Sequence, residues 1–285
     1  MMVVRDGWRR TVLSVSLGIL FSSAVIYHKI ADVAGSYFQW PVTANSTTVL
    51  DVSAYKCQQT YAVELLSIDP LVIYLDNFVN EMEIQYLLKL GHPLFSQSRV
   101  LTDAKNVVNT MDRSSQTAFL PVEDPVCNCL ASRMRSLLGN VQHEHVEPLQ
   151  LVKYANQGDR YRLHTDLSEV LQNTTSETDG TPRQTRRLGS IFLYLADDCQ
   201  GGETYFPFVA GVSNAADDEK YAVAENGEGL LVRPKKGSGI FWNNLHANGS
   251  GDIRVTHAGL PVLSGVKIGL NIWSSYFLDS PLVGA

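Results

Sequence analysis

At 285 residues, with 45% hydrophobic and 18% charged side chains, the chain has room for one good-sized domain plus appendages and the composition of an ordinary globular protein. A net charge of −6 at pH 7 and a pI near 5.6 exclude the basic face that a nucleic-acid binder needs. No Gly-x-Ser-x-Gly element and no glycine-rich loop ending in Gly-Lys-Ser/Thr occurs, which disfavours a serine hydrolase and a phosphate-loop enzyme.

The first thirty residues stand apart from the rest. Thr11 to Tyr27 is a largely apolar, almost charge-free run of 17 residues, preceded by Arg5, Arg9 and Arg10. That length is at the short end for a bilayer span, and the basic excess on its N-terminal side predicts a cytoplasmic N-terminus with the remainder translocated. The pattern is that of a single-pass type II signal anchor in the endoplasmic reticulum or another secretory-pathway membrane, with the rest of the chain in the lumen. A cleaved signal peptide ending near Ser22-Ser23-Ala24 is the alternative. Three Asn-x-Ser/Thr sequons, at Asn45, Asn173 and Asn248, are candidate glycan acceptors and agree with a lumenal domain. The four cysteines, Cys57, Cys127, Cys129 and Cys199, are too dispersed for a zinc site. They allow three complete disulfide pairings that the sequence does not rank.

Residues 31–68 read as a polar stem, and 69–285 as the folded domain. Leu71 to Leu75 suggests a strand. Asn80 followed by Glu83 makes a capping box for a helix that buries Ile84, Leu87 and Leu88 and ends near Gly91-His92-Pro93. Val126, Leu130, Met134 and Leu137 repeat at helical spacing in a second helix from about Glu123 to Leu138. From Leu149 onward strand-like runs dominate, bounded by Gly, Asn and Asp. Helices followed by many antiparallel strands point to a mainly β domain with flanking helices (α+β), a double-stranded β-helix or jelly roll. Two stretches, Gln172 to Arg187 and the acidic Val212 to Gly229, read as surface loops, the first a candidate lid over the substrate entrance.

The chemistry concentrates in four residues. His164-Thr165-Asp166 can place an imidazole and a carboxylate on one face of a strand, since alternate residues share a face. His257 supplies a third potential ligand, and Lys267 follows ten residues later. Two His and one carboxylate on one side of a metal form the facial triad of non-heme Fe(II) oxygenases, which leaves positions open for cosubstrate and O2. Lys267 is a compact charge suited to one end of a dicarboxylate. Around these lie Arg113-Ser114-Ser115, Tyr154 and Tyr161, Gly201-Gly202-Glu203-Thr204, Phe241-Trp242-Asn243-Asn244-Leu245, His257-Ala258-Gly259-Leu260-Pro261 and Trp273.

In this order the blocks resemble the catalytic domain of the prolyl 4-hydroxylase family, Fe(II)- and 2-oxoglutarate-dependent dioxygenases, from about Pro70 to Phe277. The resemblance implies iron ligation by His164, Asp166 and His257. It implies 2-oxoglutarate binding by Lys267, Tyr154 and Ser190, with L-ascorbate keeping the iron reduced. Arg113, Tyr161 and Trp273 would line the substrate cleft. Two positions depart from the family pattern, Leu260 where Cys is usual and Ile268 where Trp is usual. They touch no metal ligand, and they loosen the identity of the substrate. A proline-containing peptide or protein is the expected substrate. A small molecule is the alternative for the same oxygenase, and a catalytically inactive membrane-tethered binding module is a third reading. A monomer or simple homo-oligomer is expected.

Overall fold

The computed structural model describes residues 50–280, apart from residues 99, 102–106, 109–112, 140, 142–144, 168–171, 176–179, 211–217 and 225–226. The expected signal anchor, the sequon at Asn45 and the first half of the stem lie outside the described residues. Among those described, no helix is long and apolar enough to cross a membrane.

Strands β1 (Ala62–Ser67) and β2 (Val72–Asp76) lead into helix α1 (Glu81–Gly91). Short strands β3 (Ser96–Gln97), β4 (Val100–Leu101), β5 (Val107–Val108) and β6 (Gln116–Phe119) precede helix α2 (Pro125–Leu137). Next come β7 (His145–Val146), β8 (Gln150–Tyr154), β9 (Tyr161–His164), β10 (Gln172–Thr175) and the 20-residue β11 (Pro182–Gly201). The chain closes with β12 (Thr204–Phe206), β13 (Tyr221–Val223), β14 (Leu230–Val232), β15 (Gly239–Asn243), β16 (His257–Gly259) and the 16-residue β17 (Val262–Phe277).

All the pairings are antiparallel. The larger sheet runs β1-β2-β15-β11-β17-β8-β6-β3, with β10 added to β11 and β7 to β17, and the smaller one runs β13-β14-β12-β16-β9. Phe192 and Tyr194 of the larger sheet share one buried cluster with Phe206, Leu230 and Val232 of the smaller, so the two sheets face each other as in a jelly roll. The helices cover the other face of the larger sheet. A Cβ on Gly91 at the end of α1 would overlap Leu151 of β8, and one on Gly189 of β11 would lie 3.5 Å from Met134 of α2. With both faces covered, β11 is buried continuously from Leu188 to Leu195, and its apolar run there does not alternate.

The capping box at α1 forms as expected: Asn80 Oδ1 accepts from the Glu83 amide at 3.0 Å and Glu83 Oε2 accepts from the Asn80 amide at 3.1 Å. Glu83 is buried and also pairs with Arg133 of α2 at 2.8 Å. Asp124 caps α2, accepting from the amides of Val126 and Cys127. Of the four cysteines, Cys57 and Cys129 form a disulfide that fastens residues 50–61 to α2, while Cys127 and Cys199 are free thiols.

Three expectations change. The stretch read as stem supplies β1 from Ala62 onward, because Ala62 to Leu65 pair with Asp76 to Ile73. Residues 172–187, read as a loop and lid, hold a β-hairpin in which Gln172 to Thr175 pair with Thr185 to Pro182. Its arginines are engaged: Arg183 lies 4.0 Å over Phe277 and bonds Asp279, and Arg186 donates to the Gly249 carbonyl at 3.0 Å. The described part of the acidic insert carries β13, where Lys220 and Tyr221 both bond Glu64 of β1 at 2.6 Å.

Candidate active site

The metal-type residues converge at one edge of the smaller sheet. His164 ends β9 and His257 begins β16, and the two are cross-strand partners. Asp166 follows two residues after β9. The ligand atoms of His164, Asp166 and His257 all lie within 4.8 Å of one another, with Asp166 Oδ1 at 3.9 Å from His164 Nε2 and 4.0 Å from His257 Nε2.

Each ligand is oriented from behind. His164 Nδ1 lies 2.7 Å from the Arg162 carbonyl and His257 Nδ1 lies 3.0 Å from the Val255 carbonyl. Each imidazole therefore donates through Nδ1 and turns Nε2 inward, the tautomer a metal ligand requires. Asp166 Oδ2 accepts from the Ser190 hydroxyl at 2.6 Å and from the Trp273 indole N–H at 2.9 Å, which leaves Oδ1 for a cation. Asn244 in turn donates to Ser190 Oγ at 2.9 Å.

Protonation agrees with this arrangement. Burial first, then the neighbouring His257, pushes the His164 imidazole well below its ordinary value. Burial would raise the Asp166 carboxyl, yet the neighbouring His257, Arg187 and His164, together with the Ser190 hydroxyl, hold it below the usual carboxylate range. Neutral imidazole and ionised carboxylate are the forms that bind metal. The set of two nitrogens and one oxygen fits Fe(II) with positions left open.

The larger sheet supplies the second half. Lys267 on β17 pairs in register with Tyr154 on β8 and Asp197 on β11. It is 1% exposed, and its Nζ stands 5.1, 4.9 and 5.4 Å from the ring centres of Tyr154, Phe192 and Tyr194. Its one hydrogen bond among the described residues goes to the Gly202 carbonyl at 2.5 Å. Burial pushes its ammonium down to about 8, against smaller opposing effects of Cys199 and Glu203. A buried cation with three ring faces, one carbonyl and no bonded carboxylate among the described residues is costly, and an anionic ligand is the partner that completes it. That fits 2-oxoglutarate. Tyr154 is buried, and its hydroxyl lies 3.5 Å from where a Cβ on Gly259 would stand, beside the strand that carries His257. The Gly201-Gly202 turn leads into β12, with positive φ at both residues.

Arg113 and Tyr161 lie together next to the metal ligands. The Tyr161 ring stacks on His164 with centroids 3.6 Å apart, and the Arg113 guanidinium sits 4.6 Å over Tyr161. Arg113 and Asn271 both donate to Gln150 Oε1, at 3.1 and 3.2 Å. Ser190 and Trp273 both bond the carboxylate of Asp166. Ser190, expected against the cosubstrate, holds Asp166. Trp273, expected in the cleft, is buried with its indole N–H on the same carboxylate. The sequence reading missed Gln150 and Asn271, polar residues on otherwise apolar strands, and named Asn244 only within the 241–245 block without giving it a role. Of the sequons, Asn248 sits in an exposed turn where its Oδ1 accepts from Ser250, and Asn173 lies in β10. His246 sits 3.6 Å from Asp252, outside this centre.

No family model matches the chain. Prolyl 4-hydroxylase 1 of Arabidopsis thaliana is 28% identical over 214 residues, covering 74% of this chain and 70% of that protein. Prolyl 4-hydroxylase subunit alpha-1 of Rattus norvegicus is 30% identical over 206 residues, 72% of this chain and 34% of the subunit. Subunit alpha-2 of Caenorhabditis elegans is 28% identical over 213 residues, 74% of this chain and 35% of the subunit. The chain therefore spans about a third of the length of the animal subunits it matches. Among solved structures, the viral collagen prolyl hydroxylase from Paramecium bursaria Chlorella virus-1, in its 2-oxoglutarate complex, superposes with a TM-score of 0.50 at 23% identity. That match covers 72% of this chain and 95% of the viral chain, and it speaks for the fold. The curated relatives are prolyl 4-hydroxylases, and with its His-Asp-His centre the chain is prolyl 4-hydroxylase-like.

Proposed function

We propose that this protein hydroxylates a C–H bond of peptidyl proline, consuming O2 and 2-oxoglutarate and releasing succinate and CO2. The observation that carries the reading is the convergence of His164 Nε2, Asp166 Oδ1 and His257 Nε2 in the same fold as a buried, singly bonded Lys267. Fe(II) held by those three atoms supplies O2 activation coupled to oxidative decarboxylation of the cosubstrate. The chain's own contribution is placement. Lys267 takes the distal carboxylate, and the Tyr154 hydroxyl, whose pKa burial raises to about 12, stays protonated to donate to it. Trp242 and Phe206 pack on His257, with ring centres 4.5 and 5.4 Å away, and keep that flank of the centre dry. Arg113, Tyr161 and Gln150 offer a peptide a cation, an aromatic face and an amide, and Arg113 Nε is buried without a partner among the described residues.

The wider setting belongs to the same proposal. The domain works in an oxidising secretory lumen behind the signal anchor, with glycans on Asn248 and Asn173 and with ascorbate as the reductant. The Cys57–Cys129 disulfide supports an oxidising compartment. The test is succinate release by the full chain with Fe(II), 2-oxoglutarate and ascorbate, with and without proline-rich peptides. Turnover that rises with peptide and vanishes in Asp166→Ala upholds the proposal. Turnover indifferent to every peptide redirects it to a small-molecule substrate, and none from folded, iron-loaded protein refutes it.

A further inference from the structure

We propose that Glu147 and Arg187 are positioning residues for the metal ligand Asp166, acting through Trp273. The inference rests on the metal-centre reading above and extends it to a pair of charges two steps away from the ion.

The backbone brings the four residues together. On a regular strand Arg187 and Ser190, three apart, would face opposite sides, because side chains alternate. The ladder between β11 and β17 shifts register between Arg187 and Gly189. This bulge lets both residues address Asp166, the re-aiming that an extra residue allows. Ser190 is the cross-strand partner of Trp273, and the amide of Glu147 donates to the Trp273 carbonyl at 2.9 Å. Trp273 is thereby fixed from both sides, by β11, which carries Arg187, and by the segment just after β7, which carries Glu147.

The side chains then close a relay. Glu147 accepts from Arg187 Nε at 2.6 Å and from Nη2 at 2.7 Å, the two-point geometry that fixes the plane of a guanidinium. That plane lies 4.0 Å over the Trp273 ring, a cation–π contact that holds the indole down. The remaining nitrogen, Nη1, donates to the Asp166 backbone carbonyl at 3.3 Å, and the indole N–H holds Asp166 Oδ2 at 2.9 Å. The carboxylate is thus anchored at its backbone by Arg187 and at its far oxygen by the ring that Arg187 covers. Oδ1 is left facing the two imidazoles. The pair is only partly buried, with 21% and 15% of its side-chain surface exposed, so its value lies in orientation rather than in a desolvated charge.

The test is Mn(II) affinity, measured by loss of the free-ion EPR signal during titration of the full chain, beside thermal unfolding and peptide-dependent turnover. Glu147→Gln, Arg187→Lys and Trp273→Phe are each expected to weaken Mn(II) binding about 10- to 100-fold, the range seen when partners behind a metal ligand are removed. Lysine does not rescue, because it lacks the planar fork. The double variant Glu147→Gln with Trp273→Phe binds no worse than the weaker single one, since both act through one carboxylate. Parent-like Mn(II) affinity with a lowered Tm marks the pair as merely structural and overturns the inference. So does parent-like affinity with a raised peptide KM, which makes the pair a substrate contact. If Glu147→Gln does not fold, the other two variants carry the same test. A parent chain that binds no Mn(II) refutes the metal centre itself.

Discussion

Replacing Lys267 by Met keeps the length of the side chain and removes its charge from a site that is 1% exposed. The ammonium there is pulled from an ordinary 10.5 to about 8, burial being the largest cause. A fall of that size corresponds to about 3 kcal/mol of unfavourable burial in the ligand-free fold. Lys267→Met removes it and packs an apolar chain among the rings of Tyr154, Phe192 and Tyr194, so the ligand-free variant should melt up to ~6 °C higher. Binding moves the other way. Losing the cation opposite a buried carboxylate costs about 3–5 kcal/mol, or roughly a hundred- to several-thousandfold in 2-oxoglutarate affinity. The parent chain should also lose cosubstrate affinity about tenfold per pH unit above about 8, as the ammonium deprotonates. Stability follows the opposite sign. Because the folded pKa is depressed, the unfolded chain holds more protons between about pH 8 and 10.4, and ligand-free stability gains a contribution as pH rises through that window. Differential scanning fluorimetry without ligand, and calorimetric titration of 2-oxoglutarate into the Mn(II)-loaded chain at pH 7 and 9, measure both. A variant that melts lower, or that keeps parent-like 2-oxoglutarate affinity, would refute the placement of this lysine.

Other perturbations separate the metal shell from the scaffold. Ser190→Ala removes the 2.6 Å donor to Asp166 Oδ2 and should weaken Mn(II) binding about 10- to 100-fold, whereas Ser190→Thr retains the hydroxyl and the affinity; equal affinities in the titration would rule the contact out. The Cys57–Cys129 bond spans 72 residues, for which chain-entropy arguments give about 4 kcal/mol. Cys57→Ser, or reductant, should therefore lower Tm by roughly 10 °C, and an unchanged Tm would mean that the bond does not constrain the chain. Glu83→Ala strips the α1 cap and leaves Arg133 buried at 7% exposure without its carboxylate. A loss of about 3–5 kcal/mol is expected in urea unfolding, and a loss below about 1 kcal/mol, the worth of a surface pair, would contradict the burial.

Part of the metal centre was legible as a local signal, and His257 was placed by the order of the sequence blocks around it. His164 and Asp166 are two residues apart, and capping residues such as Asn80 and Glu83 announce α1 within a single turn. The hairpin over residues 172–187 was not legible, because the stretch that ends with Arg183, Arg186 and Arg187 reads as a surface loop. Their partners, Asp279, Phe277, Gly249 and Glu147, lie 40 or more residues away in sequence. The bond from Trp273 to Asp166 was not legible for a related reason. The burial of Trp273 depends on the register of β17 against β11, and that register shifts at a bulge that no alternation pattern reveals.

The same register explains how the centre depends on the whole sandwich. The three ligands come from the smaller sheet and the segment after β9, yet both groups that hold Asp166 Oδ2, Ser190 and Trp273, belong to the larger sheet. Asp166 is therefore the point at which the sheets must agree for Oδ1 to meet the two imidazoles. Lys267 needs less of that agreement, since Tyr154, Phe192 and Tyr194 around it all sit on the larger sheet with it. A substitution that loosens the packing of Phe206 and Leu230 on Phe192 and Tyr194 should thus weaken metal binding before it disturbs the lysine pocket. Metal affinity becomes the more sensitive gauge of how well the two sheets are joined.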